Sequence, residues 1–572
     1  VIVTTGSLRG GHWAAKIDPI VAVLVSLVSL VALVSTSSHY GMAWDEGHTV
    51  RRERTLASWF QSLISPPPDR SHLAAFSESS LSRHWPFSRE EPDGHPPFYA
   101  MIGLAGWYVS HTYLAPLTAY RLGPMVLTAV TLGILYLHLV RRHGNLVALT
   151  SAGSLLLMPR VFSHSHYAHY DMPMSCLWVL AQIAFLNSLR SRAWIPAFGA
   201  VVGLAAATKF TGWFAPLAAI GWTVVFEGVP RIRAWWRGTR IEPVADRVDL
   251  GGTQALVFGL CLAAAVVYAI QPAWWFAPLR GVATFLESNL TRADSKPIPS
   301  LYLGHVYPFS LPWHNTLVIT LATVPVFVLL LGAAGIVSVI VRRRSDPDSV
   351  IWLFSWLVLM VVRALPSAPG HDVERQFLPS FLSFAVLAGL GGGWLAQLFD
   401  RYRFGWLVRL IPVIALCESA IGIIQLYPYT LSYYNAAVGG LRGAQRLGFE
   451  LTYYWDTMGP DFADWVRDRS AEKAVELRFP SDLINIRFLR EWGELPDDVP
   501  IVGIEHTNEP YYVLQRRRGC YFPYDWWLDR HGASSFVVSR QGVDLLRVYS
   551  YSESYRAFQA TADEPIPEYL RN

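Results

Sequence analysis

Long runs without charge dominate this chain, and they limit what it can fold into. A stretch of about 17–25 apolar residues is long enough to cross a bilayer. Such runs lie near residues 20–38, 119–140, 145–163, 172–189, 252–271, 316–341, 377–397 and 407–427, with shorter ones near 194–208, 211–227 and 350–365. The expectation is about eleven transmembrane helices. Composition agrees. Hydrophobic residues make up 52% of the chain and charged residues 16%, against about 25% charge in soluble domains. The deficit has a cause: a charge at the centre of a membrane helix costs about 2.5–3.5 kcal/mol. A string of soluble domains is therefore excluded. The net charge is only +4, and the basic residues cluster beside apolar runs. That suits loops at a membrane surface and not a nucleic-acid groove. The first run follows Arg9 and Lys16. It is long for a signal peptide and lacks a small-x-small cleavage site, so it reads as a retained anchor. Three of the four cysteines, Cys176, Cys261 and Cys417, sit in apolar runs and Cys520 in a polar region, so no disulfide is expected.

Segment 97–112, PPFYAMIGLAGWYVSH, is apolar but short and opens on two prolines. If it does not cross, the basic clusters Arg141–Arg142, Arg190/Arg192, Arg231/Arg233/Arg237/Arg240, Arg342–Arg344 and Arg401/Arg403 fall on one side with Arg9 and Lys16. Positive charge gathers on the cytoplasmic side. The segment then reads as an interfacial or re-entrant helix, in a plasma or inner membrane protein whose N-terminus is cytoplasmic and whose C-terminus is extracytoplasmic. Three outer regions follow: loops 39–118 and 272–315, and the tail 428–572. The tail carries mixed charge and β-rich runs at Phe536–Val538 and Leu545–Tyr549. The expected fold is an α-helical polytopic membrane domain, 1–427, and a small extracytoplasmic α/β domain, 428–572.

Each expected outer loop sets ionisable groups beside a membrane boundary. GMAWDEGHTVRRE carries Asp45 and Glu46. PRVFSHSHYAHYDMPM carries His164, His166, His169 and Asp171. AATKFTGW carries Lys209, and APGHDVERQFLP carries His371, Asp372, Glu374 and Arg375. The set is two-signed. Asp45 and Asp171 could act as a general base or hold a divalent cation. Lys209 and Arg375 could bind phosphate, Arg by its planar fork and Lys as a point charge. Acids plus phosphate-binding cations at a lipid boundary suit group transfer from a phosphorylated lipid. Plainer readings stand beside these. Asp45–Glu46 reads equally as a solvated or helix-capping pair, the His-x-His-x-x-His run as a weak metal pattern, and Lys209 and Arg375 as snorkelling cations. Whether a metal is used stays open, and no other cofactor is expected. Asn289-Leu-Thr291 is a glycosylation sequon by pattern only.

In this order the motifs resemble a known family. The WDEG at Trp44–Gly47 after the first span, HPPFYA (95–100), RLGPMVLTAVTLGILYLHLVRR (121–142), the run from Pro159 to Pro173, GLAAATKFTG (203–212) and HDVERQFLPSFLSFAVLAG (371–389) are together similar to GT-C glycosyltransferases. The branch resembled is the protein-mannosyltransferase and aminoarabinose-transferase one (family 39-like), in its bacterial form. The resemblance spans roughly residues 15–440. It implies transfer of a sugar from a polyprenyl-phosphate carrier to a lipid, glycan or protein acceptor on the extracytoplasmic side. By the same resemblance, Asp45 deprotonates the acceptor hydroxyl, the anomeric centre inverts, and Lys209 and Arg375 stabilise the departing lipid phosphate. Asp171 is the second acidic residue. Glu46, His169, His371 and Asp372 are further contacts implied near the centre. The tail lacks the MIR-like repeats of eukaryotic protein-mannosylating enzymes, and its start, 427–455, resembles bacterial members.

Two other polytopic classes compete. A secondary transporter would place ionisable residues near the membrane midplane, where only Glu418 sits inside a run. A lipid-linked oligosaccharide ligase would share the donor. A scaffold using its tail for partners is a third reading. No strand–loop–helix context supports a nucleotide-sugar donor.

Overall fold

The computed structural model describes residues 12–68, 71–88, 94–237, 251–295, 297–472, 477–478, 483–502 and 511–561. Arg9 and Arg240 lie outside them.

The apolar runs form the expected helices: α1 (His12–Thr36), α2 (Trp44–Ile64), α3 (Phe98–Ser110), α4 (Pro116–His143), α5 (Asn145–Leu157), α6 (Asp171–Ser188), α7 (Ile195–Ala206), α8 (Leu217–Thr223), α9 (Gly252–Ile270), α10 (Val326–Arg342), α11 (Val350–Val362), α12 (Leu378–Phe399) and α13 (Leu410–Leu426). Among the described residues, six helical stretches are long and apolar enough to cross a membrane, and five apolar helices are shorter. The helix α12 is apolar all round, so it occupies the centre, buried along most of its length against α5 and α10. Its contact with α10 is backbone on backbone. A Cβ on Gly335 would sit 1.8 Å from the Leu387 carbonyl oxygen, and one on Gly391 2.0 Å from that of Leu331. Small residues serve this close approach in lipid, where no hydrophobic effect drives helices together. By contrast α1 leaves Val23, Val28 and Val31 on the outside, as a lipid-facing helix does.

Two runs that read as single spans are broken. The stretch 316–341 is two helices, Asn315–Thr323 and α10, because Pro325 removes an amide and forces Val324 into an extended conformation. The stretch 145–163 divides in the same way at Met158–Pro159. The first break is repaired from elsewhere. The Asn435 side-chain amide donates to the carbonyls of Leu321 and Val324, each at 2.7 Å. Glu418, on α13, accepts the amides of Val326 and Phe327, both at 2.8 Å. Glu418 is therefore a cap for a neighbouring helix start, where its charge also meets the positive end of the helix dipole.

The outer loop 39–118 is largely helical. It holds α2, a short helix Glu78–His84, and α3, which is the segment 97–112. With 13 residues, α3 is too short to span a bilayer by itself. It lies against α2 and α4, and Gly106 and Gly123 set its approach to α4. At the far end of the bundle the basic turns gather. Arg142 donates to Asn187 at 3.0 Å, Arg190 pairs with Asp348, and Arg342 donates to Gln397 at 2.9 Å.

The tail does not begin as a separate body. Residues 428–459 thread back into the helical region, where Asn435 caps the broken helix and the Tyr433 carbonyl accepts from Arg160 at 2.8 Å. Beyond them lies a five-stranded mixed sheet, ordered β4-β3-β5-β7-β6. Its strands are β3 (Leu477–Arg478), β4 (Ile501–Val502), β5 (Tyr511–Gln515), β6 (Ser534–Arg540) and β7 (Val543–Ser550). A separate hairpin, β1 (Ser300–Tyr302) and β2 (His305–Tyr307), lies in the region 272–315. The β-rich runs of the tail are β6 and β7, joined by Gln541-Gly542 with both residues at positive φ, the geometry of a two-residue hairpin turn.

Candidate functional site

Asp45 is the second residue of α2, in a first turn where a carboxylate is favoured by the helix dipole. Asp171 opens α6. Lys209 lies between α7 and the turn Phe210–Phe214, and Arg375 in the turn Val373–Phe377 before α12. The fold brings all four together. Arg375 spends its three nitrogens on three carboxylates: Nε on Asp171 at 2.6 Å, Nη1 on Asp372 at 2.5 Å, and Nη2 on Asp45. Lys209 Nζ binds the other oxygen of Asp171 at 2.5 Å. Arg517, from the end of β5, binds the other oxygen of Asp372 at 2.9 Å. Three acids and three cations thus form one chain of ion pairs.

Two tyrosines complete the surroundings of Asp45. Its Oδ2 accepts from Tyr170 at 2.6 Å and from Tyr454 at 3.0 Å. The Arg375 guanidinium lies 4.3 Å from the centre of the Tyr454 ring and 5.3 Å from that of Tyr170, within cation–π range. Burial works against the Asp45 carboxylate, but Arg375 and the Tyr170 hydroxyl outweigh it and hold its pKa well below the usual carboxylate range. Burial lowers Lys209 to about 8, against the opposing pull of Asp171. Burial, reinforced by nearby cations, also keeps His95 and His371 well below the ordinary histidine value, so both are neutral near pH 7.

The cluster forms one wall of a cavity of about 1250 Å³. Asp45, Tyr170, His371, Asp372 and Arg375 reach its surface. Asp171, Lys209 and His169 do not. They stand behind it, with His169 Nδ1 3.2 Å from Asp171 and accepting the Asp171 amide at 3.0 Å. Glu46 faces elsewhere. It is fully buried and paired with Arg121 through two bonds of 2.8 and 2.7 Å, and it accepts the Ala43 and Ala168 amides. Neighbours on a helix point about 100° apart, and here Asp45 turns to the cavity while Glu46 turns to Arg121. The histidine run is dispersed as well. His164 meets Tyr453 at 3.0 Å and His166 meets Thr36 at 2.8 Å. Among the described residues no group of three or more His, Cys, Asp or Glu side chains is arranged to hold a metal ion.

The cavity has walls that sequence reasoning did not single out. Arg292 follows the sequon, and its Nε is buried without a hydrogen-bond partner among the described residues. Arg517 and Trp455 come from the tail. The run TYYW at 452–455, dense in aromatics inside a polar region, was the available signal for Tyr454 and Trp455.

Residues 95–237 match the model of the family "Dolichyl-phosphate-mannose-protein mannosyltransferase". The matched stretch contains Tyr170, Asp171 and Lys209 and covers about a quarter of the chain. Over that stretch the chain is similar to protein mannosyltransferases. Among the described residues, the helices long and apolar enough to cross a membrane accompany this similarity. No curated protein matches it. Solved structures similar to it include ArnT from Cupriavidus metallidurans bound to undecaprenyl phosphate, at 14% identity over 92% of this chain and 97% of that one, with a TM-score of 0.46. The apo state of the same protein gives 14% identity over 95% and 99%, with a TM-score of 0.47. The oligosaccharyltransferase AglB from Archaeoglobus fulgidus, in complex with an inhibitory peptide and a dolichol-phosphate, gives 13% over 96% and 75%, with a TM-score of 0.46.

Proposed function

We propose that this protein moves a sugar from a polyprenyl-phosphate carrier to an acceptor hydroxyl in the cavity, with inversion at the anomeric carbon and Asp45 as general base. The observation that carries the reading is that Asp45 reaches the cavity while bound to a cation that a phosphate would also attract. The acceptor oxygen attacks the anomeric carbon, its proton passes to Asp45, and the bond to the phosphate oxygen breaks. The phosphodiester carries one negative charge and the departing monoester two. As that charge grows it draws Arg375 towards it. Asp45 then loses the partner that keeps it weakly basic, so base strength rises as the leaving group departs. This couples two effects that each matter to the rate, a positioned base and electrostatic stabilisation of developing charge.

Within this reading Arg292, a cation on the cavity wall whose Nε has no hydrogen-bond partner among the described residues, meets the phosphate. Lys209 serves Arg375 by holding Asp171, and not the phosphate directly. The basic turns at the opposite end of the bundle support a cavity facing away from the cytoplasm, with the N-terminus cytoplasmic and the tail extracytoplasmic. The cavity has room for a bulky acceptor, which fits a lipid, glycan or protein hydroxyl.

Lipid analysis of host membranes tests the reading. Loss of the protein, or its replacement by Asp45→Asn at normal abundance, should make one polyprenyl-phosphate sugar accumulate. An Asp45→Asn strain with an unchanged lipid profile would remove Asp45 as the base.

A further inference from the structure

The turn that carries Arg375 is strained. Asp372 has φ 62° and Val373 φ 49°. A β-branched residue at positive φ is a genuine outlier. Such residues persist only where their surroundings over-determine them. Within the helical region Asp372 has one cation, Arg375 itself, three residues further on at 2.5 Å. That pair belongs to the turn and cannot anchor it.

Glu374 ties the turn to Arg160 at 2.6 Å, and Asp372 itself is tied from outside the turn by Arg517. The Arg517 side chain is 3% exposed and contacts Asp372, the Tyr453 carbonyl and the Trp455 ring. Nη2 binds Asp372 Oδ1 at 2.9 Å. Nη1 donates to the Tyr453 carbonyl at 2.6 Å. The group lies 4.0 Å over the Trp455 ring, and Trp455 in turn packs on Trp44, the neighbour of Asp45, with ring centres 4.4 Å apart. The stretch that delivers Arg517 is fixed on both sides. Gln515 Oε1 accepts from the Thr457 hydroxyl at 2.7 Å, and the Gly519 amide donates to Glu450 at 3.0 Å.

We infer that Arg517 is a positioning residue: it holds Asp372, Asp372 holds Arg375, and so the C-terminal sheet sets how Arg375 is presented to Asp45. The sheet is then a working part of the transfer site. This rests on the reading of Asp45 and Arg375 given above. Arg517 also lines the cavity, so the rival account is direct contact with substrate. The two separate kinetically. A positioning residue changes kcat, whereas a residue that binds substrate equally in ground and transition states changes KM alone.

The experiment uses full-length protein in liposomes as wild type, Arg517→Gln, Arg517→Lys, Asp372→Asn and the Arg517→Gln/Asp372→Asn pair. Thermal unfolding is read first, because it needs no donor. Each single change should lower the unfolding temperature, and the pair should be no worse than the worse single, since both remove one tether. Additive shifts overturn the inference. Transfer is then followed with polyprenyl-phosphate mannose, as released polyprenyl phosphate. Arg517→Gln should lose about 10- to 100-fold in kcat, the scale of a displacement of about 1 Å, with KM within about twofold. Arg517→Lys keeps the charge and should recover part of that loss, and it stands in should the Gln variant not fold. An unchanged kcat, or a change in KM alone, overturns the inference and leaves the proposed transfer standing. Wild type that neither transfers nor binds farnesyl phosphate overturns the transfer reading instead, and the unfolding cycle then decides the inference by itself.

Discussion

Arg121 and Arg375 are both buried, and each binds one carboxylate of the same dipeptide, Glu46 and Asp45. Arg121 meets Glu46 with two bonds and gives its remaining ones to the carbonyls of Ser37, Tyr40 and Gly41, at 2.8–3.0 Å. Those carbonyls are fixed in the backbone, and none of their residues lines the cavity. Arg375 has only side chains as acid partners, three of them, and two of the three border open space. A guanidinium saturated by backbone holds a turn in place. One divided among competing carboxylates can be redistributed when a new anion arrives. The difference lies in the mobility of the partners and in access, not in depth of burial.

The contrast is sharpest when the two acids are changed separately. Asp45→Asn should lower kcat by about 10²–10⁴-fold, the usual worth of a positioned base. Its unfolding temperature should fall less than that of Glu46→Gln, because Arg375 keeps Asp171 and Asp372 as partners. Glu46→Gln should do the reverse. Removing one partner of a buried pair costs about 3–5 kcal/mol, so folded yield should fall while the rate per folded molecule stays near wild type. A Glu46→Gln protein that is stable but inactive would erase the distinction.

A second effect concerns the anchor of the Arg517 stretch. Burial raises the Glu450 carboxyl from an ordinary 4.5 to about 7, against the opposing effects of Arg517 and backbone amides. The folded protein therefore holds this proton more tightly than the unfolded chain. Stability is greatest below about 4.5, falls as pH rises towards 7, and levels off above. Glu450→Gln should flatten that fall when unfolding temperatures at pH 5.5 and 8 are compared. Asp456, raised by burial to about 6, should leave a smaller slope at the acid end. The smallest effect belongs to Lys209. With Lys209 at about 8, kcat should decline as pH rises through that value and Asp171 loses a partner. In Lys209→Arg the declining limb should move to higher pH. A limb that stays in place would detach Lys209 from the cluster's charge.

Hydropathy made the helical framework legible, and the loop motifs named Asp45, Asp171, Lys209 and Arg375, which the fold joins by ion pairs. Three things were hidden for physical reasons. Glu46 was grouped with Asp45 because a loop permits any direction, whereas the first turn of α2 sends the two apart. The breaks at Pro159 and Pro325 vanish in a sliding average, since the residues around them are as apolar as the helices. Arg517 was obscured by its own context: Arg516–Arg518 in a polar tail looks like a solvated basic run, and its function comes only from the strand end that points it inward. Arg516 and Arg518 pair with Asp529 instead, so three adjacent arginines have two different destinations.

The position of Arg517 along the chain also has a consequence in time. Asp45 is made 472 residues before it. At about 5–20 residues per second this is roughly half a minute to a minute and a half. Over most of that interval Asp45 lacks the Tyr454 hydroxyl, and Asp372, once made, has no second cation until Arg517 follows. The site's last parts to be synthesised are those that tie it together, so an unfinished chain lodged in the membrane carries the acids without the finished arrangement around them. Completion of synthesis is then the event that brings the site into being.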